Sequence, residues 1–217
     1  MLDVKHLPEF LAQEKLDQNN VDLFSIGQGL HWFDDIDGAL KSVNSVLRPD
    51  SYFLVFAYTI PRINDGSDWQ AKLVSGENAH GFDVIDGAKM TDYKFEKEAS
   101  VHSQLSQAYN EMWTKIYPHF KFNRSVIENF YQPLPFAENC QVLRKLIWFD
   151  TTPNKSIKAV LGYLESISAY RCYLEDYKIA KGSEQDPLEI VRKKFEELGN
   201  PDVDFVTPYY CIALGRK

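Results

Sequence analysis

Cysteine is scarce in this chain, and the few cysteines form no recognisable site. The three cysteines among 217 residues, Cys140, Cys172 and Cys211, are widely spaced and lack any CxxC or Cys/His pairing. An odd number without such spacing argues against a disulfide framework and against a structural zinc site. The five histidines show no metal-ligand spacing either. We therefore predict no metal site, and a reducing, cytoplasmic location.

Long apolar runs and an excess of positive charge are absent as well. No apolar run reaches membrane-spanning length, and the first residues lack the basic and apolar regions of a signal peptide. Lys and Arg number 24 against 31 Asp and Glu, a net charge of −7, which offers no footprint for nucleic acid or an anionic membrane. We expect one soluble domain over 1–217, with neither a nucleic-acid nor a membrane partner.

The chain does contain a strand–helix–strand pattern. Residues 21–27 are rich in apolar side chains and end in glycines, which favours a buried strand. Apolar residues at spacings of three and four over 35–47 predict a helix, with Asp35 near its start and Arg48-Pro-Asp at its end. Residues 51–59 are almost wholly apolar, as expected of a central strand. This order predicts a right-handed parallel crossover.

The rest of the chain predicts further elements of an α/β fold. Residues 60–135 are predicted to form a cap or connector, with little strand before residue 100 and a helix over 101–117. The later apolar patterns predict a strand at 142–149, one long helix over 153–177, a helix starting at Asp186 and a closing strand at 205–214.

The segment Gly27-Gln-Gly-Leu-His-Trp-Phe, which follows the first predicted strand, resembles the loop after the fourth strand of class I S-adenosylmethionine-dependent methyltransferases. It is most similar to the fungal trans-aconitate methyltransferase branch. The resemblance continues near Leu146, in Ser166-Ile-Ser-Ala-Tyr-Arg and in the terminal Pro208-Tyr-Tyr-Cys-Ile-Ala-Leu. It implies an α/β, Rossmann-like sheet that is incomplete, with a helical cap region; the complete family sheet has the order 3-2-1-4-5-7-6.

The resemblance also implies a cofactor, a substrate and the residues that bind them. The cofactor would be S-adenosylmethionine, and the acceptor a small-molecule carboxylate similar to trans-aconitate, which would be O-methylated. The expected cofactor-binding residues are Glu9, Gly27, Gln28, Gly29, His31 and Trp32, and the expected substrate-binding residues are Tyr58, Ser168, Tyr170 and Arg171. No catalytic residue is expected, because a carboxylate is already ionised and alignment can carry the reaction.

Several of these residues have a structural alternative. His31 could be a surface histidine, Trp32 and Tyr58 could be core aromatics, and Glu9 and Arg171 could be solvated charges. In the favoured interpretation, Trp32 and His31 face a sulfonium through cation–π attraction, and Arg171 pairs with a substrate carboxylate.

The glycine-rich loop and the ribose-binding acidic residue of the family have no counterpart in this sequence. If Leu2-Asp-Val-Lys is the third family strand, residues 1–20 form a poorly anchored remnant and 21–27 becomes an uncovered edge, open to pairing with another chain. Cofactor binding by this chain would then be weak or absent. Two alternatives therefore remain beside the methyltransferase prediction: a non-catalytic remnant or partner-binding protein, and an incomplete gene product.

Overall fold

The computed structural model describes residues 7–14, 21–85 and 100–217. Their central sheet has six strands: β1 Val21–Gly27, β2 Leu47–Tyr58, β3 Arg62–Ile63, β4 Asp83–Val84, β5 Gln141–Lys155 and β6 Val203–Gly215. The order is β1-β2-β6-β5-β4, with β3 beside β6. β1 is parallel to β2, whereas β6 is antiparallel to β2, β3 and β5. The strands β1, β2, β6 and β5 correspond in order to strands 4, 5, 7 and 6 of the family sheet. The α/β prediction is therefore confirmed.

Nine helices accompany this sheet in the described residues. They are α1 Leu7–Gln13, α2 Ile36–Val46, α3 Trp69–Ser75, α4 Val101–Ile116, α5 Ser125–Glu128, α6 Phe136–Asn139, α7 Ile157–Glu165, α8 Ser168–Tyr177 and α9 Leu188–Glu197. Within the described ranges, no helix is long and apolar enough to cross a bilayer.

The predicted order of β1, α2 and β2 and the parallel pairing of the two strands are confirmed. Asp35 caps α2, because its carboxylate accepts a hydrogen bond of 2.8 Å from the amide of Gly38. The apolar stripe, including Leu40 and Val43, is buried against the sheet. β2 starts at Leu47, earlier than the predicted Ser51, because the chain passes directly from the helix into pairing with Val21.

Three predictions of local structure were wrong. The long helix over 153–177 is two helices, because Ile167 is extended and the Ser166 hydroxyl bonds the carbonyl of Tyr163 at 2.6 Å. Residues 153–155 continue β5, where pairing with β6 overrides helical periodicity. The connector before residue 100 contributes β3 and β4 to the sheet. The proposed strand Leu2-Asp-Val-Lys, and residues 15–20 of the remnant, lie outside the described residues.

The two faces of the sheet differ in burial. On the closed face, Phe53, Val55 and Ala57 of β2 are buried together with Tyr210 and other side chains of β6 under α2 and the segment around 127–136. On the open face, Leu23, Tyr52, Phe56 and Tyr58 are 56%, 54%, 45% and 36% exposed. β1 pairs with β2 on one side and with no other described strand.

A second core lies in a helical layer, here called the cap, which draws on helices beyond the predicted cap region of 60–135. It contains side chains of α4, α7, α8 and α9, together with Ile63 and Phe205 from β3 and β6. The hydroxyl of Tyr109 in α4 donates a hydrogen bond of 2.9 Å to the carbonyl of Pro61, just beyond β2. The cap is thereby joined to the carboxyl end of β2.

Candidate functional site

A cavity of about 250 Å³ opens beyond the carboxyl ends of β1 and β2, between the sheet and the cap. Ligands of parallel sheets bind at this end of the strands. The cavity is lined by Gln28, His31, Trp32, Tyr58, Trp113, Phe120, Phe122, Arg124, Tyr163, Ser166, Ile167 and Ser168. Aromatic side chains dominate, and Arg124 supplies positive charge.

A larger cavity of about 420 Å³ lies at the opposite end of β2, near Tyr52. Its two cationic side chains already have partners: Arg216 donates to the carbonyl of Leu47 at 2.8 Å, and Lys217 donates to the carbonyls of Ala137 and Glu138. We therefore place the candidate site at the smaller cavity, where the strands end and the cationic and aromatic groups converge.

The loop after β1 is held firmly against β2. Gln28 has a left-handed backbone with φ of 50°, its amide donates to the carbonyl of Phe56 at 2.9 Å, and its side-chain amide donates to the carbonyl of Tyr58 at 2.9 Å. A Cβ atom at Gly27 would lie 2.4 Å from the Phe56 ring, so any larger residue here would displace that ring. The following 3₁₀ turn, Leu30–Trp32, is anchored by the buried Leu30.

His31 is a neutral histidine at the cavity wall. Its Nδ1 lies 2.8 Å from the hydroxyl of Tyr131, and its ring centroid lies 4.6 Å from that of Phe122. Burial, and then the positive charge of Arg124, lower the pKa of His31 from 6.5 to about 4. At neutral pH the ring is therefore uncharged and carries a single N–H.

Trp32 and Phe122 form an aromatic pair beside His31, with ring centroids 4.3 Å apart. The Trp32 side chain is 58% exposed, so part of its ring stays open to a ligand. Aromatic faces attract cations such as a sulfonium, which makes this wall suitable for the reacting end of a methyl donor.

Arg124 provides an anion-binding group that is only partly used. Its Nε donates to a carboxylate oxygen of Glu128 at 2.9 Å, and its side chain is 13% exposed. Burial raises the pKa of Glu128, while the Arg124 charge opposes that rise. The terminal nitrogens of Arg124 have no hydrogen-bond partner among the described residues. They are not fully buried, so solvent or a ligand can reach them. They remain available to a ligand oxygen.

The structure brings together half of the predicted site residues. Gln28, His31, Trp32, Tyr58 and Ser168 line the cavity, whereas Gly27 and Gly29 shape the loop behind them without lining it.

The other predicted residues do not line this cavity. Glu9 lies on α1, which packs against α2, and its side chain is exposed. Arg171 is exposed on α8, and Tyr170 is buried with its hydroxyl donating to Asp186 at 2.9 Å. Because α8 starts at Ser168 and turns by about 100° per residue, its first residue faces the cavity and the next ones turn away.

Sequence reasoning missed the cavity residues that come from the cap. They are Trp113, Phe120, Phe122, Arg124, Tyr163, Ser166 and Ile167. The alternation of aromatic and basic residues in Phe120-Lys-Phe-Asn-Arg was the available signal. Within the described part of the chain, no group of three His, Cys, Asp or Glu side chains could hold a metal ion.

Comparison with known proteins identifies the fold. No family model and no curated protein matches the chain. A candidate type II methyltransferase from Anaeromyxobacter dehalogenans is similar in structure with a TM-score of 0.58 and 19% identity, over 99% of this chain and 69% of that one. A candidate methyltransferase from Bacillus halodurans matches with a TM-score of 0.40 and 8% identity, over 100% and 70% of the two chains. The fold is therefore Rossmann-like and similar to that of methyltransferases, on the strength of the first match.

Proposed function

We propose that this protein takes part in methyl transfer from S-adenosylmethionine to a carboxylate of a small molecule similar to trans-aconitate. The observation that supports this proposal is the guanidinium of Arg124, which lines an aromatic cavity at the carboxyl ends of β1 and β2. Its Nε bonds Glu128, and its terminal nitrogens have no hydrogen-bond partner among the described residues. Guanidinium groups recognise carboxylates through paired N–H donors, and such bonds are strong where water is excluded.

The described residues fit the reacting end of the cofactor. The loop Gly27 to Trp32 offers close backbone approach and an aromatic wall. The cavity of about 250 Å³ is smaller than the roughly 300–1,000 Å³ of most small-molecule sites, so it suits an acceptor and a methyl group better than a whole cofactor. When bound, S-adenosylmethionine supplies an electrophilic methyl group that a carboxylate oxygen can accept as a methyl ester.

The residues of this chain would act by orientation and desolvation. Arg124 would hold the acceptor carboxylate, while Phe122 and Trp32 exclude water from the space between donor and acceptor. No general base is needed, because the carboxylate has no proton to lose. Glu128 keeps Arg124 in place through their hydrogen bond and limits the net positive charge of the cavity.

Titration calorimetry with S-adenosylmethionine, followed by transfer of a labelled methyl group to trans-aconitate, tests this proposal. The trimethyl ester of trans-aconitate is the matched control, because it keeps the shape and lacks the charge. We expect binding and labelling of the acid only. Absence of both binding and transfer would show the proposal to be wrong for this chain.

A variant pair tests the role of Arg124. The double variant Arg124→Gln, Glu128→Gln removes the cation without leaving a buried carboxylate unpaired, and Arg171→Gln is the control on the exposed face of α8. We expect transfer to fall by about 100-fold or more in the double variant, since a charged hydrogen-bond pair to the ligand is lost, and to stay unchanged in the control. Equal activity in the double variant and in Arg171→Gln would show that Arg124 does not bind the acceptor.

A further inference from the structure

Tyr131 is a buried residue in an unusual backbone conformation. Phe130 and Tyr131 are consecutive aromatic residues with φ of 52° and 58°, the left-handed region that bulky side chains rarely adopt. Both are fully buried. Such conformations persist only where the surroundings over-determine them, and they concentrate at functional sites.

The closed face of the sheet supplies those surroundings. The ring of Tyr210 on β6 meets Phe130 edge-on at 5.2 Å and Tyr131 edge-on at 5.5 Å. The hydroxyl of Tyr210 also donates to the carbonyl of Ile127 at 3.2 Å, at the end of the same segment. The Tyr131 ring is therefore fixed from the sheet side, with its hydroxyl directed at the loop after β1.

The direction of the hydrogen bond between Tyr131 and His31 follows from the neighbours of the hydroxyl. Among the described residues, no carbonyl or carboxylate accepts the Tyr131 proton, and the only acceptor at bonding distance is His31 Nδ1, 2.8 Å away. Burial raises the pKa of Tyr131, so the hydroxyl keeps its proton at neutral pH. The hydroxyl proton therefore points to Nδ1.

We propose that Tyr131 is a positioning residue that holds His31 in the tautomer protonated on Nε2, so that His31 donates a hydrogen bond to an acceptor oxygen bound in the cavity. A neutral imidazole that accepts at Nδ1 must carry its proton on Nε2. Nε2 has no partner among the described residues and is not one of the fully buried unpaired atoms. The inference that His31 donates to an acceptor oxygen depends on the proposed function, whereas the inference about its tautomer does not.

Nitrogen NMR of the histidine rings tests the tautomer directly. In the full chain labelled with ¹⁵N-histidine, long-range ¹H–¹⁵N correlations distinguish a protonated from an unprotonated ring nitrogen, and His31→Gln assigns the signals. We expect an unprotonated Nδ1 and a protonated Nε2 at pH 7. A proton on Nδ1 would overturn the proposal.

Two tyrosine variants separate positioning from packing. Tyr131→Phe keeps the buried ring and removes the hydroxyl, so the His31 signals should shift towards a mixture of both tautomers, and any kcat for methyl transfer should fall roughly three- to tenfold, as for one lost hydrogen bond. Tyr210→Phe, which deletes a hydroxyl from the same cluster, should leave the His31 signals unchanged. Unchanged His31 signals in Tyr131→Phe would refute the proposal, whereas the expected tautomer without methyl transfer would refute the proposed function alone.

Discussion

Phe53 and Phe56 lie on the same strand, β2, and have opposite surroundings. Phe53 faces the closed side of the sheet and is fully buried, while Phe56 faces the open side and is 45% exposed. The strand is apolar on both faces, as is typical of a parallel sheet covered on both sides. Within the described residues only one side is covered. The apolar residues of this strand thus predict a packed layer on each face, and the described residues supply such a layer over Phe53 but not over Phe56.

The largest expected effect is on stability, from a matched pair of substitutions on β2. Phe53→Ala should lower the free energy of unfolding by about 3–5 kcal/mol, because it removes a ring from a packed core and leaves a cavity. Phe56→Ala should lower it by about 1 kcal/mol or less, because its ring is already partly in water. Urea unfolding followed by circular dichroism measures both. Equal losses would mean that the open face is covered in solution.

The second effect is a pH dependence of stability that His31 causes. This residue lies at the cavity wall and bonds Tyr131 of the closed face. Its pKa of about 4 in the folded chain lies below the 6.5 of the unfolded chain, so the unfolded state binds more protons between these values. The contribution of His31 to the free energy of unfolding is therefore fully present above pH 6.5. As the pH falls from 6.5 to 4, the free energy of unfolding decreases by up to about 3 kcal/mol. The difference in unfolding free energy between wild type and His31→Gln should change over this range. A pH-independent difference would contradict the low pKa.

The third effect tests the open face directly. Tyr52→Thr with Phe56→Thr keeps residues that favour strands and removes two exposed rings. At roughly 200 Å² for an aromatic side chain, these half-exposed rings account for about 200 Å² of apolar surface. We expect a clear loss of fluorescence from a bound apolar dye, with the free energy of unfolding changed by about 1 kcal/mol or less. Unchanged dye binding would place the exposed apolar surface elsewhere.

The smallest effect on stability comes from the edge strand. Ser25→Lys adds a charge to the exposed side of β1, where lysine discourages strand pairing between chains. Stability should change by no more than about 0.5 kcal/mol, whereas any concentration-dependent association through β1 should weaken in sedimentation experiments. Ser45→Lys on α2, also exposed, controls for added charge. If both lysines act equally, pairing does not use this edge.

The sequence alone predicts β1, β2, β5, β6 and the loop after β1, because local patterns determine them, whereas it does not predict β3 and β4. Val21–Gly27 and Ile36–Val46 follow directly from apolar periodicity, and the glycines mark where β1 ends. The cap could not be predicted in this way. Arg124 lines the cavity only because its segment packs beside the loop after β1, and Tyr131, behind that wall, bonds a residue 100 positions away. The break between α7 and α8 was hidden because the apolar spacing continues through Ser166 and Ile167.

The two hydrogen bonds of Gln28 to β2 make one side of the cavity rigid. Any swing of the loop after β1 would break its bonds to the carbonyls of Phe56 and Tyr58, so this side moves only as a unit with the sheet. The opposite side is carried by the segment Phe120 to Arg124 and by the start of α8. A ligand larger than the cavity therefore requires these cap segments to move outward while the loop after β1 stays in place.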